Sequence, residues 1–185
     1  MKKISSIGKP YFLVVFGVLL LLFYLNGLTN GGSLLALAII GIIVAAYYIA
    51  SGVLNIIFGD KFPENEKKLF GLIDISAFPV LMFVYYLITV INANSAFGPT
   101  SWVIAIIGLA ASIGFASLYI VNFFHKKDNL KKFSTIFAAL FVLSLLLDVL
   151  FDVFGNPVNI GGINIIVTVS YIIYSYVLFN ELFKA

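Results

Sequence analysis

Residues 10 to 59 contain no charged side chain, and this stretch constrains the fold more than any other feature of the sequence. A helix needs about 20 apolar residues to cross the ~30 Å hydrocarbon core of a bilayer, so the stretch is long enough for two crossings. An Asn- and Gly-rich segment at 26–32 interrupts the apolar run and is typical of a turn. The stretch therefore predicts a hairpin of two membrane-spanning helices.

The composition of the whole chain points to the same solvent. Hydrophobic residues make up 62% of the 185 positions and charged residues only 10%, which is too apolar for a water-soluble domain of this size. The apolar–polar alternation of membrane strands is missing, so helices are favoured over a β-barrel. The chain has no cysteine, which excludes disulfides and thiolate metal sites.

We expect an all-α membrane protein with six transmembrane helices, forming one polytopic domain over residues 1–185. An apolar run directly after Met1 and two lysines resembles a secretory signal, but the further spans favour an uncleaved first helix. The six predicted spans are 11–28, 33–58, 69–92, 102–125, 133–154 and 158–183.

All the basic residues are lysines, and in this arrangement they lie on one side of the membrane. The connections on the other side carry no lysine, and the excess of lysine identifies the cytoplasmic face. We therefore expect a multi-pass protein of the cytoplasmic membrane with both termini in the cytoplasm. The lysines are Lys2, Lys3 and Lys9, then Lys61, Lys67 and Lys68, then Lys126, Lys127, Lys131 and Lys132, and finally Lys184.

An internal repeat is indicated by the sequence Ala-Ile-Ile-Gly, which occurs at 38–41 and again at 105–108. Asn55 and Asn122 follow these two segments at the same distance, and a further shift aligns Asn180 with them. This pattern predicts three pseudo-repeated helical hairpins, each of which needs its neighbours to bury a face. Small residues four apart allow close packing of helices in lipid, and the predicted helix-packing residues are Gly41, Ala45, Gly108, Ser112 and Ala116.

Asp148 and Asp152 are the sharpest candidates for chemistry. They are four residues apart and project from one face of the fifth predicted span, where they repel each other. A proton or cation site would use such a pair, because carboxylates are costly inside a bilayer. The alternative is that Asp152 lies at the interface and that Asp148 shares its water.

Asp74 is the third candidate, in the first two turns of the third span. It could be a coupling residue that faces the cytoplasm. The alternatives are that a nearby lysine extends to it, or that it favours the positive end of the helix.

Hydroxyl groups give the sixth span a polar lining that includes Ser170, Tyr171 and Tyr174, and tyrosines such as Tyr47 and Tyr48 lie inside other spans. Such groups either join helices together or, with the aspartates, line a small-molecule pocket. Soluble-enzyme motifs are missing, and a single histidine cannot build a multi-histidine metal site. We expect no enzymatic activity, no metal and no cofactor.

Helix pairs of the kind GVLLLLFYLNG at 17–27 followed by AIIGIIVAAYYIASGVLNIIFG at 38–59 resemble those of the HdeD-type bacterial membrane proteins, a family associated with acid-stress resistance. The chain is also similar in length and span number to the substrate-binding S components of energy-coupling-factor transporters. Neither resemblance assigns a role to an individual residue.

Two functions follow as expectations. The first is a non-enzymatic membrane protein that protects the cell from stress or binds a protein partner, as immunity proteins do. The second is a small-molecule carrier, or a proton- or cation-coupled carrier or transporter subunit, that uses the intramembrane aspartates. The expected partners are the lipid bilayer, a membrane protein or a second copy of the chain, and a small-molecule ligand, but not nucleic acid.

Overall fold

The computed structural model describes residues 2–29, 35–59, 61–91, 99–125 and 128–151, and these residues form helices with no strand among them. Four of the helices are long and apolar enough to cross a membrane, and the apolar part of the first, Pro10–Leu25, is shorter. The prediction of an all-α chain is thus confirmed for the described residues. The five helices are α1 (Lys2–Thr29), α2 (Leu35–Phe58), α3 (Glu64–Ile91), α4 (Pro99–His125) and α5 (Asp128–Phe151).

These helices overlap the first five predicted spans and differ from them at their ends. Four of them, α1, α3, α4 and α5, begin earlier than their spans. In α1, α3 and α5 the added segment carries lysines. The sixth predicted span, 158–183, lies outside the described residues. Six spans, the three-hairpin repeat and a single domain over 1–185 therefore stay predictions.

The chain divides into two compact units, Met1–Ile75 and Ser76–Ala185, with the boundary inside α3. In the first unit, α1 and α2 pack against each other at glycine. A Cβ atom at Gly17 would lie 2.9 Å from the carbonyl oxygen of Ala45, and one at Gly52 would lie 2.7 Å from that of Pro10. Close backbone approach is how helices gain dispersion energy in lipid, where no hydrophobic effect drives them together.

The second unit has an aromatic core. Phe141 of α5 stacks on Phe115 of α4, with ring centroids 6.4 Å apart, and meets Phe78 of α3 edge-on at 6.1 Å. All three side chains are fully buried. Aromatic pairs in these geometries add to the packing energy beyond the area that they bury.

Large aliphatic side chains remain exposed on the outer faces of the helices. Ile43 is 63% exposed, and Ile106 and Ile136 are each 54% exposed. In water, exposed apolar surface of this extent would promote association, whereas lipid tails are as apolar as these side chains. The outer faces therefore fit a membrane environment.

We expect Gly52→Ala to lower the free energy of unfolding by about 1–3 kcal/mol, because the added methyl group would press on the backbone of α1. The measurement is reversible unfolding in mixed micelles. Gly71→Ala is the matched control, since a Cβ there meets nothing within 4 Å. This second variant should be as stable as the wild type or more stable by up to ~1 kcal/mol. Equal losses in both variants would contradict the glycine contact.

Candidate functional site

Asp74 lies inside the apolar part of α3 and is 3% exposed. It follows the first residue of the helix, Glu64, by ten positions, which is a rise of about 15 Å. Aspartate is almost never this buried unless it has partners. The partners of this carboxyl group therefore determine what it can do.

Two hydroxyl groups of α2 donate hydrogen bonds to one oxygen of this carboxyl group. Tyr47 Oη lies 3.0 Å and Ser51 Oγ lies 2.8 Å from Asp74 Oδ1. Tyr47 and Ser51 are one helical turn apart, so they share a face of α2. Tyr47 Oη also lies 3.5 Å from the carbonyl oxygen of Phe70, at the limit of a hydrogen bond.

Tyr48 of α2 contacts both the backbone of α3 at Asp74 and a side chain of α1. Its hydroxyl group donates to the backbone carbonyl oxygen of Asp74 at 2.9 Å. Its ring meets the ring of Phe16 in α1 edge-on, with centroids 5.3 Å apart, and its side chain is fully buried. Asp74 is thus positioned both at its carboxyl group and at its backbone.

The geometry accommodates both protonation states of Asp74. A carboxyl oxygen that accepts two hydroxyl hydrogen bonds need not itself carry a proton, and it is an acceptor in the ionised form and in the neutral acid. A proton at Oδ2 leaves the bonds from Tyr47 and Ser51 intact, whereas a proton that Ser51 delivers to Oδ1 reverses the direction of the Ser51 bond and keeps the bond from Tyr47. Chemically, the cluster can bind and release a proton without being dismantled.

Asn55 extends the polar cluster along α2. Its amide Nδ2 donates to the carbonyl oxygen of Ser51 at 2.8 Å and lies 3.5 Å from Ser51 Oγ. Tyr47, Ser51 and Asn55 are spaced four residues apart, which places them in one row on the helix. We call these three residues the α2 polar row.

The alternatives that a nearby lysine extends to Asp74, or that Asp74 favours the positive end of the helix, stay predictions. The amino group of Lys68 lies 2.7 Å from the carboxylate of Glu64, one turn away on the exposed start of α3. The hydrogen bonds to Asp74 come from hydroxyl groups of another helix. Sequence analysis missed Ser51 as a partner, although its spacing from Tyr47 in an uncharged helix was a signal for it.

The other predicted binding residues are not brought to this cluster by any described contact. Asp148 lies in α5, where its side chain is outside the described part of the structure. The paired-carboxylate site and the polar lining of the sixth span stay predictions. The residues outside the described ranges are Asp152, Ser170, Tyr171 and Tyr174.

The predicted helix-packing residues are all buried. Gly41 faces the ring of Tyr24, and a Cβ at Gly108 would lie 2.5 Å from the ring of Tyr86. Ser112 donates to the carbonyl oxygen of Leu109 in its own helix at 3.1 Å. The residues of this set are Gly41, Ala45, Gly108, Ser112 and Ala116.

Within the described ranges, no group of three or more His, Cys, Asp or Glu side chains could hold a metal ion. No family model, curated protein or solved structure matches this chain. The candidate site therefore stands on its own geometry.

We expect Tyr47→Phe and Ser51→Ala each to lower the free energy of unfolding by about 0.5–1.5 kcal/mol, because each removes one hydrogen bond to Asp74. The measurement is again reversible unfolding in mixed micelles. Tyr11→Phe is the control, since Tyr11 is 56% exposed on α1 and should not change stability. If Tyr47→Phe behaves like Tyr11→Phe, the hydrogen bond to Asp74 contributes nothing.

Proposed function

We propose that this chain is a multi-pass membrane protein in which Asp74 reversibly binds a proton, and that it acts as a small proton-coupled carrier or transporter subunit. The observation that carries the proposal is the buried carboxyl group of Asp74, which accepts hydrogen bonds from Tyr47 and Ser51. Ionisable groups inside membrane helices are functional candidates by default.

The energetic cost of the site supports a functional role. A carboxylate at the centre of a membrane helix costs roughly 2.5–3.5 kcal/mol on insertion scales. Neutral hydroxyl groups lower this cost by hydrogen bonding, but they do not cancel the charge. Binding a proton removes the charge and keeps the hydrogen bonds, so Asp74 has two accessible states in the same surroundings.

The contact of α4 with α5 indicates that helix packing alone does not require a polar cluster such as that of Asp74, Tyr47 and Ser51. Under the predicted repeat, the shift that takes Gly41 to Gly108 also relates α2 to α4. The described contacts of α4 with α5 are aromatic, because Phe115 stacks on Phe141 and Gly114 faces the ring of Phe137. Apolar packing is often as stable as a buried polar group. The positions of α4 that correspond to Tyr47, Tyr48 and Ser51 are Gly114, Phe115 and Leu118.

The proposal includes the predicted topology of the chain. Six spans, three helical hairpins and two cytoplasmic termini place every lysine on the cytoplasmic side. In this arrangement the connection between α2 and α3, which contains Lys61, faces the cytoplasm. The protective or partner-binding role, the resemblance to HdeD-type proteins and the expected lack of enzymatic activity stay predictions.

The proton site is tested by infrared titration of the reconstituted protein. As the pH is raised, the wild type should lose the carbonyl stretch of one buried carboxylic acid, and Asp74→Asn should lack this change because an amide does not titrate. Asp128→Asn is the control, since Asp128 is an exposed carboxylate at the start of α5 and its loss should leave the buried signal unchanged. Identical titrations of the wild type and Asp74→Asn would overturn the proposal.

The topology is tested with single cysteines, which the cysteine-free chain allows. Lys61→Cys and Lys132→Cys should react with a membrane-impermeant maleimide only after cells are permeabilised, and Ser95→Cys should react in intact cells. This result is expected because the lysine-bearing connections face the cytoplasm. Labelling of Lys61→Cys and Lys132→Cys from opposite sides would contradict the alternating arrangement.

A further inference from the structure

The α2 polar row runs in one direction from Asp74. Ser51 is 2% exposed, Asn55 is partly exposed, and α2 ends at Phe58, three residues after Asn55. Each step of four residues along the row is a rise of about 6 Å. The row therefore leads from the buried carboxyl group to the end of α2 where the connection to α3 begins.

In the opposite direction the row on α2 continues without hydrogen-bonding side chains. On α2, the positions one and two turns before Tyr47 are Ile43 and Ile39. Along α2, hydrogen-bonding side chains therefore run from Tyr47 toward the α2–α3 connection, and isoleucines follow toward the other end of the helix.

We infer that Asp74 exchanges its proton with the aqueous phase on the side of the α2–α3 connection, and that Ser51 and Asn55 are positioning residues along this route. The inference rests on the proposed proton-binding function and adds the direction of access. It does not depend on which side of the membrane that connection faces.

The proton reaches Asp74 through the hydroxyl group of Ser51, which gives up one proton and takes up another. As its own proton moves to Asp74 Oδ1, Ser51 Oγ takes up a proton that water delivers from the connection side. The hydrogen bond between Ser51 and Asp74 is kept with its direction reversed, and the carboxylate becomes a carboxylic acid. The amide of Asn55 neither gains nor loses a proton in this step. Its role is to position Ser51 and to offer a polar contact for water.

The titration of Asp74 can be distinguished from that of the ionisable groups around it. The titratable side chains that contact it from α2 are the phenols of Tyr47 and Tyr48, both hydrogen-bond donors to Asp74. The charged groups of its own helix lie six or more residues toward the exposed start of α3. They are Glu64, Glu66, Lys67 and Lys68.

The test uses the full-length protein in sealed liposomes, with Lys61→Cys as a marker of orientation. The pH is changed rapidly on one side, and the carboxylic acid signal of Asp74 is followed by infrared spectroscopy. We expect the signal to follow the pH on the side of residue 61. Asn55→Leu should slow the response about tenfold, as expected when one hydrogen bond of the route is lost.

Three further variants distinguish a loss of the proton route from a general effect of substitution on the fold. Asn122→Leu makes the same substitution at the corresponding position of α4, and the response should keep the wild-type rate. Ser51→Ala should slow the response, and Ser51→Thr should restore it because threonine keeps the hydroxyl group. Wild-type rates in both Asn55→Leu and Ser51→Ala would overturn the route.

The failures of the two proposals are distinguishable. If the Asp74 signal titrates but follows the pH on the side opposite residue 61, the direction of access is wrong and the proton site stands. If no signal titrates from either side, the proton site itself is wrong.

Discussion

In a bilayer every backbone polar group needs a partner within the protein, and this constraint favours the helices that the described residues form. Helices satisfy the backbone. Several side-chain hydroxyl groups also bond within their own helix, since Ser112 and Ser144 donate to carbonyl oxygens three residues earlier. Ser51 instead reaches across to Asp74 on a neighbouring helix. This departure from local satisfaction sets the Asp74 cluster apart from ordinary helix contacts.

The close packing of α1 against α2 supports the Asp74 cluster, because it positions Tyr48. Gly17 and Gly52 allow the two backbones to approach, and this approach brings Phe16 against the ring of Tyr48. Tyr48 in turn holds the backbone of α3 at Asp74. A hydroxyl group held by packing has little freedom to lose, so its hydrogen bond is pre-organised. The glycines, which have no polar function, therefore contribute to the geometry of the polar site.

The proposed proton site and its route use the same two helical turns of α2. The row from Tyr47 through Ser51 to Asn55 both stabilises the carboxyl group and connects it with the end of the helix. A buried acid that titrates needs both features, because a partner lowers the cost of its charge and a path lets the proton arrive.

The sequence by itself determined the helices and their apolar character, because length, hydropathy and turn residues act locally along the chain. It also singled out Asp74, since a carboxylate inside an apolar run is conspicuous whatever its surroundings. Only the tertiary structure decided that Tyr47 and Ser51 are its partners. In a soluble protein the polar face of a helix points to solvent, so the sequence shows which face of the helix is buried. Here the lipid is as apolar as the core, so hydropathy does not reveal the rotation of α2 about its axis. Close packing against α1 and hydrogen bonds to α3 decide it.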